Sequence, residues 1–221
     1  MKKVILAVLL GLILTIYVSH FSESVQADLA HNLVRFHVIA NSDSAEDQAL
    51  KLRVRNRVIH DTEHLFDASE NIGQTKVIIE KNIPRIETIA KDELKKWGRE
   101  DQVKVSLGTY PFPTKQYGDV ILPAGHYQAL QVVIGEGRGA NWWCVLFPPL
   151  CFVDATQGVL PESSKQHLKS ILTEEEYEMI TTANTEGEIP VVIKFKLVEW
   201  WQNSKIKVQT AFNGMDKASE N

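Results

Sequence analysis

The chain has 221 residues and a formal net charge of −4, and it contains two cysteines and five tryptophans. This length is sufficient for one domain with a substantial core, and the acidic balance argues against a nucleic-acid-binding protein, which would carry a basic surface. No repeat, low-complexity block or long linker divides the chain. We therefore expect a single domain over residues 33–205, followed by a flexible polar tail at 212–221.

The N-terminus has the parts of an export signal. Two lysines precede an apolar run from Val4 to Val18, and a polar stretch then leads to Val25-Gln26-Ala27, which suits cleavage after Ala27. The run is shorter than the roughly 20 residues of a comfortable membrane span, although an uncleaved N-terminal anchor that contacts the membrane is the alternative. In both cases we expect the remainder of the chain to work outside the cytoplasm.

The first strand and helix are predicted next. Residues 33–40 alternate and are rich in β-branched side chains, which is typical of a strand. Ser44 and Asp47 then have the spacing of a capping box, so a helix should begin near Ser44 and end near Phe66. This helix has two apolar stripes on opposite sides, formed by Leu50, Val54, Val58 and Leu65 and by Leu52, Ile59 and Phe66. It is either buried on two sides, which we expect, or keeps one side for a partner.

The remaining elements complete the fold prediction. A single apolar stripe predicts a second helix over residues 74–97, with a kink or restart at Pro84 and a stop at Gly98. Residues 102–108, 119–135 and 141–147 read as strands, 163–182 as a helix, and 190–201 as a strand or helix. This order predicts an α+β fold in which two N-terminal helices pack on a mainly antiparallel sheet.

The glycines at 135, 137 and 139 lie between two predicted strands. Their spacing is superficially that of a phosphate-binding loop, but no helix follows them. A hairpin connection between the two strands is the simpler interpretation.

The two cysteines, Cys144 and Cys151, leave three interpretations open. In an exported protein a disulfide that closes the short loop between them is favoured. Two separate buried thiols are the alternative, because both residues lie among apolar side chains. A cysteine nucleophile with His37 or His126 as its base would instead make an exported cysteine hydrolase of the cell envelope, although no known protease signature surrounds either thiol.

We predict neither a metal site nor a cofactor. The seven histidines are scattered along the chain. Only His60 and His64 have helical i,i+4 spacing, and the residues between them do not match an HExxH motif.

Polar and aromatic residues concentrate at the end of the first strand and at the start of the last one. Trp142 and Trp143 are adjacent on a strand and must face opposite sides, so one of them is a candidate exposed anchor for a partner. We expect the turn after the first strand to lie near this tryptophan pair and to form a contact surface with it. The partner-binding candidates are Arg35, His37, Asn41, Ser42, Asp43, Asn141, Trp142 and Trp143.

Four segments together resemble the stage II sporulation protein R family of endospore-forming bacteria. They are RFHVIANSDSAEDQ, YPFPTKQYG, LPAGHYQALQVVIGEG and GANWWCVLFPPLCF, and they lie between Arg35 and Asp154. Residues 155–221 carry no such likeness. The same motifs contain the partner-binding candidates and both cysteines.

The resemblance implies a function that composition and spacing do not reveal. Proteins of this family are expected to be made in the forespore, exported into the space between the forespore and mother-cell membranes, and read there as an intercellular signal. The implied partner is a membrane-embedded aspartic protease of the stage II sporulation GA type, which removes an inhibitory pro-sequence from sigma-E. The resemblance implies that the signal protein is not itself an enzyme, and it supplies no catalytic residues.

Overall fold

A computed structural model describes residue 11 and residues 29–66, 69–151 and 160–181. The predicted cleavage site after Ala27, the strand or helix at 190–201 and the tail at 212–221 lie outside the described residues. So does the predicted signal or anchor segment, apart from residue 11. In the described part of the chain, no helix has both the length and the apolar character that a membrane span requires.

The described elements are one strand, two helices, five strands and two helices, in chain order. The strands are β1 (Val34–Ile39), β2 (Val103–Phe112), β3 (Lys115–Tyr117), β4 (Val120–Leu122), β5 (Gly125–Ile134) and β6 (Asn141–Phe147). The helices are α1 (Ala45–Phe66), α2 (Ile72–Lys96), α3 (Glu162–Ile171) and α4 (Glu174–Ile180).

The main sheet has the strand order β2-β5-β1-β6. β2 is antiparallel to β5 and β1 is antiparallel to β6, whereas β1 and β5 run parallel. The predicted α+β fold with a mainly antiparallel sheet is therefore confirmed. The predicted hairpin between β5 and β6 is wrong, because β1 lies between these two strands and the glycine-rich connection has to cross the end of β1.

Helices α1 and α2 cover one face of the sheet. Val34, Phe36 and Val38 alternate along β1 toward this face and pack against the buried sides of both helices. The alternation is what a sheet with two differently covered faces requires, since successive side chains point to opposite sides. This face holds the larger of the two apolar cores, to which the buried members of α1, α2, β2 and β5 contribute.

The opposite face of the sheet carries a second core. It joins Leu29 and Leu33 to residues of the small β3-β4 sheet and to α3 and α4. The helix predicted at 163–182 is in fact two helices, because Thr173 begins α4 with a complete capping box in which it exchanges hydrogen bonds with Glu176. The strand predicted over 119–135 is likewise divided at Pro123, which cannot donate to a ladder.

The predicted bounds of α1 are confirmed, but its burial is not. Leu50 and Val54 are buried on the sheet side, whereas Leu52 on the opposite side is 40 % exposed and Ile59 is only half-buried. The expectation that both apolar stripes are buried is therefore wrong along the middle of the helix. Its outward stripe faces solvent there.

Helix α2 begins two residues earlier than predicted. The side chain of Asn71 accepts a hydrogen bond from Gln74 N and caps the helix, which continues through Pro84 as one element. The predicted stop at Gly98 is confirmed. Its φ of 69° is the left-handed conformation in which glycine ends helices.

Candidate functional site

The turn after β1 is tied to the start of α1 by one buried carboxylate. Asp47 is 6 % exposed, and it accepts hydrogen bonds from Asn41 Nδ2 at 2.9 Å and Ser42 Oγ at 2.6 Å. Arg99 Nη2 lies 3.0 Å from the other carboxylate oxygen. The hydrogen bonds from Ser42 and Asn41, together with the Arg99 cation, lower the pKa of Asp47. Asp47 is therefore the residue that orders this turn.

Sequence reasoning missed this role because it gave Asp47 a different one. Ser44 Oγ does accept a hydrogen bond from the backbone N–H of Asp47 at 3.1 Å, as a helix cap should. The reciprocal half of the predicted capping box is absent, since the N–H of Ser44 donates to Ser42 Oγ instead. The carboxylate of Asp47 is thereby left to bind the turn.

The glycine-rich connection packs directly on the same turn. Asn41 Oδ1 accepts from the N–H of Glu136 at 2.9 Å, and Asp43 Oδ1 accepts from the N–H of Ala140 at 2.6 Å. A Cβ atom at Gly139 would fall well inside contact distance of the carbonyl group of Ser42. Glycine is therefore required for this close approach between two backbones.

Arg35 and His37 lie inside the protein, on the face of the sheet opposite α1 and α2. Arg35 is fully buried, and it donates from Nε to the carbonyl of Cys144 at 3.1 Å and from Nη2 to the hydroxyl of Tyr117 at 2.9 Å. Its guanidinium carbon lies 4.4 Å from the ring centroid of Phe112 and 4.9 Å from that of Tyr127. These rings supply the negative faces that a buried cation needs.

His37 is held by ring contacts alone. It is 3 % exposed, and its ring stacks on Trp143 with a centroid distance of 5.0 Å and an interplanar angle of 12°. Neither ring nitrogen has a hydrogen-bond partner in the described part of the chain. Burial and the neighbouring Arg35 cation lower the pKa of His37 to about 4.

The two tryptophans of β6 face opposite sides, as predicted. Trp143 pairs with His37, whereas Trp142 pairs with Val38 and meets Phe36 edge-on at 5.8 Å between ring centroids. Both indoles are half-buried. The guanidinium of Arg55, on α1, lies 4.6 Å from the ring centroid of Trp142.

The candidate residues therefore divide into a partly exposed set and a buried set. Asp43 is exposed, and Asn41, Ser42, Asn141, Trp142 and Trp143 are half-buried. The turn and the start of β6 lie next to each other, because Asp43 binds Ala140 and Ile39 pairs with Asn141. Arg35 and His37 are buried beneath this region, so they support the surface from within and add no exposed area to it.

Cys144 and Cys151 are free thiols in this structure. Cys151 Sγ donates to the carbonyl of Val145 at 2.9 Å, and burial together with the neighbouring Cys144 thiol raises its pKa well above the usual value. The predicted disulfide is therefore not formed here. Whether it forms after export stays a prediction.

The proposed pairing of Cys144 with His37 is not present. Cys144 lies opposite Phe36 in the ladder and shares its face of the sheet, whereas His37 lies on the other face. The sheet itself therefore separates the thiol from this imidazole. Among the described residues, no three His, Cys, Asp or Glu side chains form a group that could hold a metal ion.

Comparison with known proteins places the chain in a family. Residues 30–157 match the family described as Stage II sporulation protein R (spore_II_R). The chain is also 36 % identical over 188 residues to Stage II sporulation protein R of Bacillus subtilis (strain 168), and this match covers 81 % of the chain and 84 % of the relative. No solved structure matches it. The fold is thus α+β, and the chain belongs to the stage II sporulation protein R family, which confirms the resemblance and supports a role in sporulation.

Proposed function

We propose that the protein is an exported sporulation signal that activates a membrane-embedded aspartic protease of the stage II sporulation GA type in the mother cell. Activation of this protease leads to processing of pro-sigma-E. The observation that carries the proposal is membership of the stage II sporulation protein R family, on a chain whose first residues have the pattern of an export signal.

The geometry of the turn and β6 supports a role as a ligand. The Asn41–Asp43 turn, the 135–140 connection and the start of α1 are cross-linked by the hydrogen bonds of Asp47, Asn41 and Asp43. A surface that is ordered before binding loses little conformational entropy when it docks. Such a surface activates a protease if it binds the active arrangement of that protease more tightly than the inactive one.

The contrasting proposal is an exported cysteine hydrolase, and the local chemistry gives it little support. A nucleophilic cysteine requires a lowered pKa and a base within reach. Cys151 has a raised pKa, and Cys144 lies on the opposite face of the sheet from His37. We therefore propose that the protein acts by binding and performs no bond-making of its own.

Reconstitution in a non-sporulating bacterial host tests the function. The full chain is co-expressed with the protease and pro-sigma-E, and cleavage of the pro-sequence is followed by immunoblot. We expect cleavage only when all three are present, and we expect it to be lost when residues 1–27 are deleted and the protein stays in the cytoplasm. Cleavage that continues without the protein, or with its cytoplasmic form, would refute the proposal.

The same assay separates a signal from a hydrolase. The double variant Cys144→Ser and Cys151→Ser should still support cleavage, after correction for its level in the exported fraction. A hydrolase that used either thiol would lose activity completely.

A further inference from the structure

The middle of α1 is basic in a chain that is acidic as a whole. Between Leu50 and His60 the helix carries four basic residues and no carboxylate, although the chain has a net charge of −4. Arg57 is paired with Asp61 at 2.7 Å, and Lys51 is buried and donates to the carbonyl of Ala140. Neither of the other two, Arg53 and Arg55, forms an ion pair within the described residues.

Both of these arginines are held against tryptophan rings. The guanidinium carbon of Arg53 lies 3.5 Å from the ring centroid of Trp97, at the end of α2, and that of Arg55 lies 4.6 Å from the ring of Trp142, on β6. A guanidinium that stacks on an aromatic face keeps its N–H edges available for a carboxylate. Arg55 donates from Nε and Nη2 to Oδ1 of its exposed neighbour Asn56, at 2.9 and 2.6 Å, so a partner carboxylate has to replace this neutral acceptor. The two cations are therefore pre-oriented and not freely mobile.

A partly exposed leucine lies between the two arginine–tryptophan pairs. Arg53 and Arg55 are two residues apart, or about 200° around the helix, so they flank the outward side of α1. Leu52 occupies that side and is 40 % exposed, and Trp97 is 51 % exposed. We call this set (Leu52, Arg53, Arg55, Trp97 and Trp142) the Arg–Trp surface.

We infer that the Arg–Trp surface binds an acidic segment of a partner protein. Carboxylates of that segment meet the guanidinium edges of Arg53 and Arg55, and an apolar side chain of the segment covers Leu52. Tryptophan and arginine are among the residue types that contribute most binding free energy at protein interfaces. The arginine guanidinium binds carboxylates through bidentate hydrogen bonds. The inference rests on the proposed function, since it takes the outward-facing part of the membrane protease as the partner.

The charge pattern favours a protein over an anionic membrane. Membrane recognition through lipid charge uses clusters of about four to eight basic side chains. Here two arginines without a carboxylate partner are accompanied by Glu93, which lines the same shallow groove as Arg53 and accepts a hydrogen bond from the indole of Trp97. This mixture of charges suits a partner with a few precisely placed carboxylates.

A binding measurement with charge-reversed variants tests the inference. The tagged exported protein is titrated against the detergent-solubilised protease, and the variant Arg53→Glu with Arg55→Glu is compared with Lys81→Glu with Arg85→Glu. The control pair is exposed on α2 and undergoes the same change in charge. We expect the first variant to bind at least about tenfold more weakly and the control to stay within about twofold.

Two further arms identify the chemistry of the partner. Poly-L-glutamate should compete with the protease for the wild-type protein, and a labelled glutamate hexapeptide should bind the wild type more tightly than the Arg53/Arg55 variant. Leu52→Asp should also weaken binding to the protease. Because Leu52 is 40 % exposed, the thermal midpoint of this variant should fall by only a few degrees.

The possible results are distinguishable. Protease binding and pro-sigma-E cleavage that survive in the Arg53/Arg55 variant would overturn the Arg–Trp surface and leave the proposed function intact. Binding to anionic phosphatidylserine vesicles that depends on both arginines, without competition by poly-L-glutamate, would assign the surface to a membrane and overturn the inference. A wild-type protein that neither binds the protease nor supports cleavage would refute the proposed function together with this surface.

Discussion

The buried histidine of β1 makes the stability of this protein depend on pH in a specific way. His37 has no hydrogen-bond partner for either nitrogen in the described part of the chain, and burial lowers its pKa to about 4. In the unfolded chain the pKa of a histidine returns to about 6.5. At pH values between these two pKa values, the folded state therefore binds fewer protons than the unfolded state.

The sign and size of the effect follow from this difference. Because the pKa of His37 is lowered on folding, stability falls as the pH drops below about 6.5 and stops falling on this account below about 4. The difference between the two pKa values corresponds to about 3 kcal/mol. We predict that His37→Phe removes this loss, because phenylalanine retains the ring contacts with Trp143 and does not bind a proton.

Urea denaturation of the exported domain at several pH values measures the effect. At pH 7.5 the wild type and His37→Phe should differ by less than about 1.5 kcal/mol, since a buried apolar substitution of similar size costs little. Between pH 7.5 and pH 4.5, the difference in the free energy of unfolding between His37→Phe and the wild type should shift by about 2–3 kcal/mol in favour of the variant.

A contrary result would be clear. If the free-energy difference between the wild type and His37→Phe does not change between pH 7.5 and 4.5, His37 is not buried as a neutral side chain. Near-ultraviolet circular dichroism at pH 7.5 checks that the variant keeps native packing, so that a change in fold is not mistaken for a change in titration.

Three further predictions concern the turn and the cysteines. Asp47→Ala should lower the free energy of unfolding by about 1–3 kcal/mol in urea denaturation, because it leaves the side-chain donors of Asn41 and Ser42 without their acceptor. Arg99 keeps its contacts with Asp101 and Glu46 in this variant. A loss below about 0.5 kcal/mol would contradict the role given to this carboxylate. Gly139→Ala should cost about 2 kcal/mol or more, since its Cβ collides with the backbone of the turn, and an unchanged thermal midpoint would show that the connection can move away. The non-reduced exported protein should be two hydrogens lighter by mass spectrometry than its reduced form if Cys144 and Cys151 become bridged; identical masses would leave them as the free thiols seen here.

Local signals in the sequence were sufficient for the elements near the site. The cluster of capping residues after β1 predicted where α1 begins, and the adjacent tryptophans of β6 had to face opposite sides. Both signals depend on residues within a few positions of one another. They are therefore independent of how the rest of the chain packs.

The pairing of distant strands could not be predicted in the same way. Nothing near Gly135 or Gly139 indicates that β1 inserts between β5 and β6, because that arrangement depends on a parallel pairing between strands about 90 residues apart in the chain. The sequence therefore suggested a hairpin at these glycines. In the structure, glycine is needed because the connection passes very close to the Asn41–Asp43 turn.

The sequence by itself determined the family, the α+β class and the bounds of α1, since motif identity, hydrophobic periodicity and capping are properties of short stretches. Only the tertiary structure decided which polar residues are exposed. Arg35 and His37 are residue types that usually lie on the surface, yet aromatic residues of β2, β5 and β6 enclose them. Leu52 is a residue type that usually lies in the core, yet it faces solvent. Burial depends on what the rest of the chain places over a side chain, and this information is not contained in the residues around it.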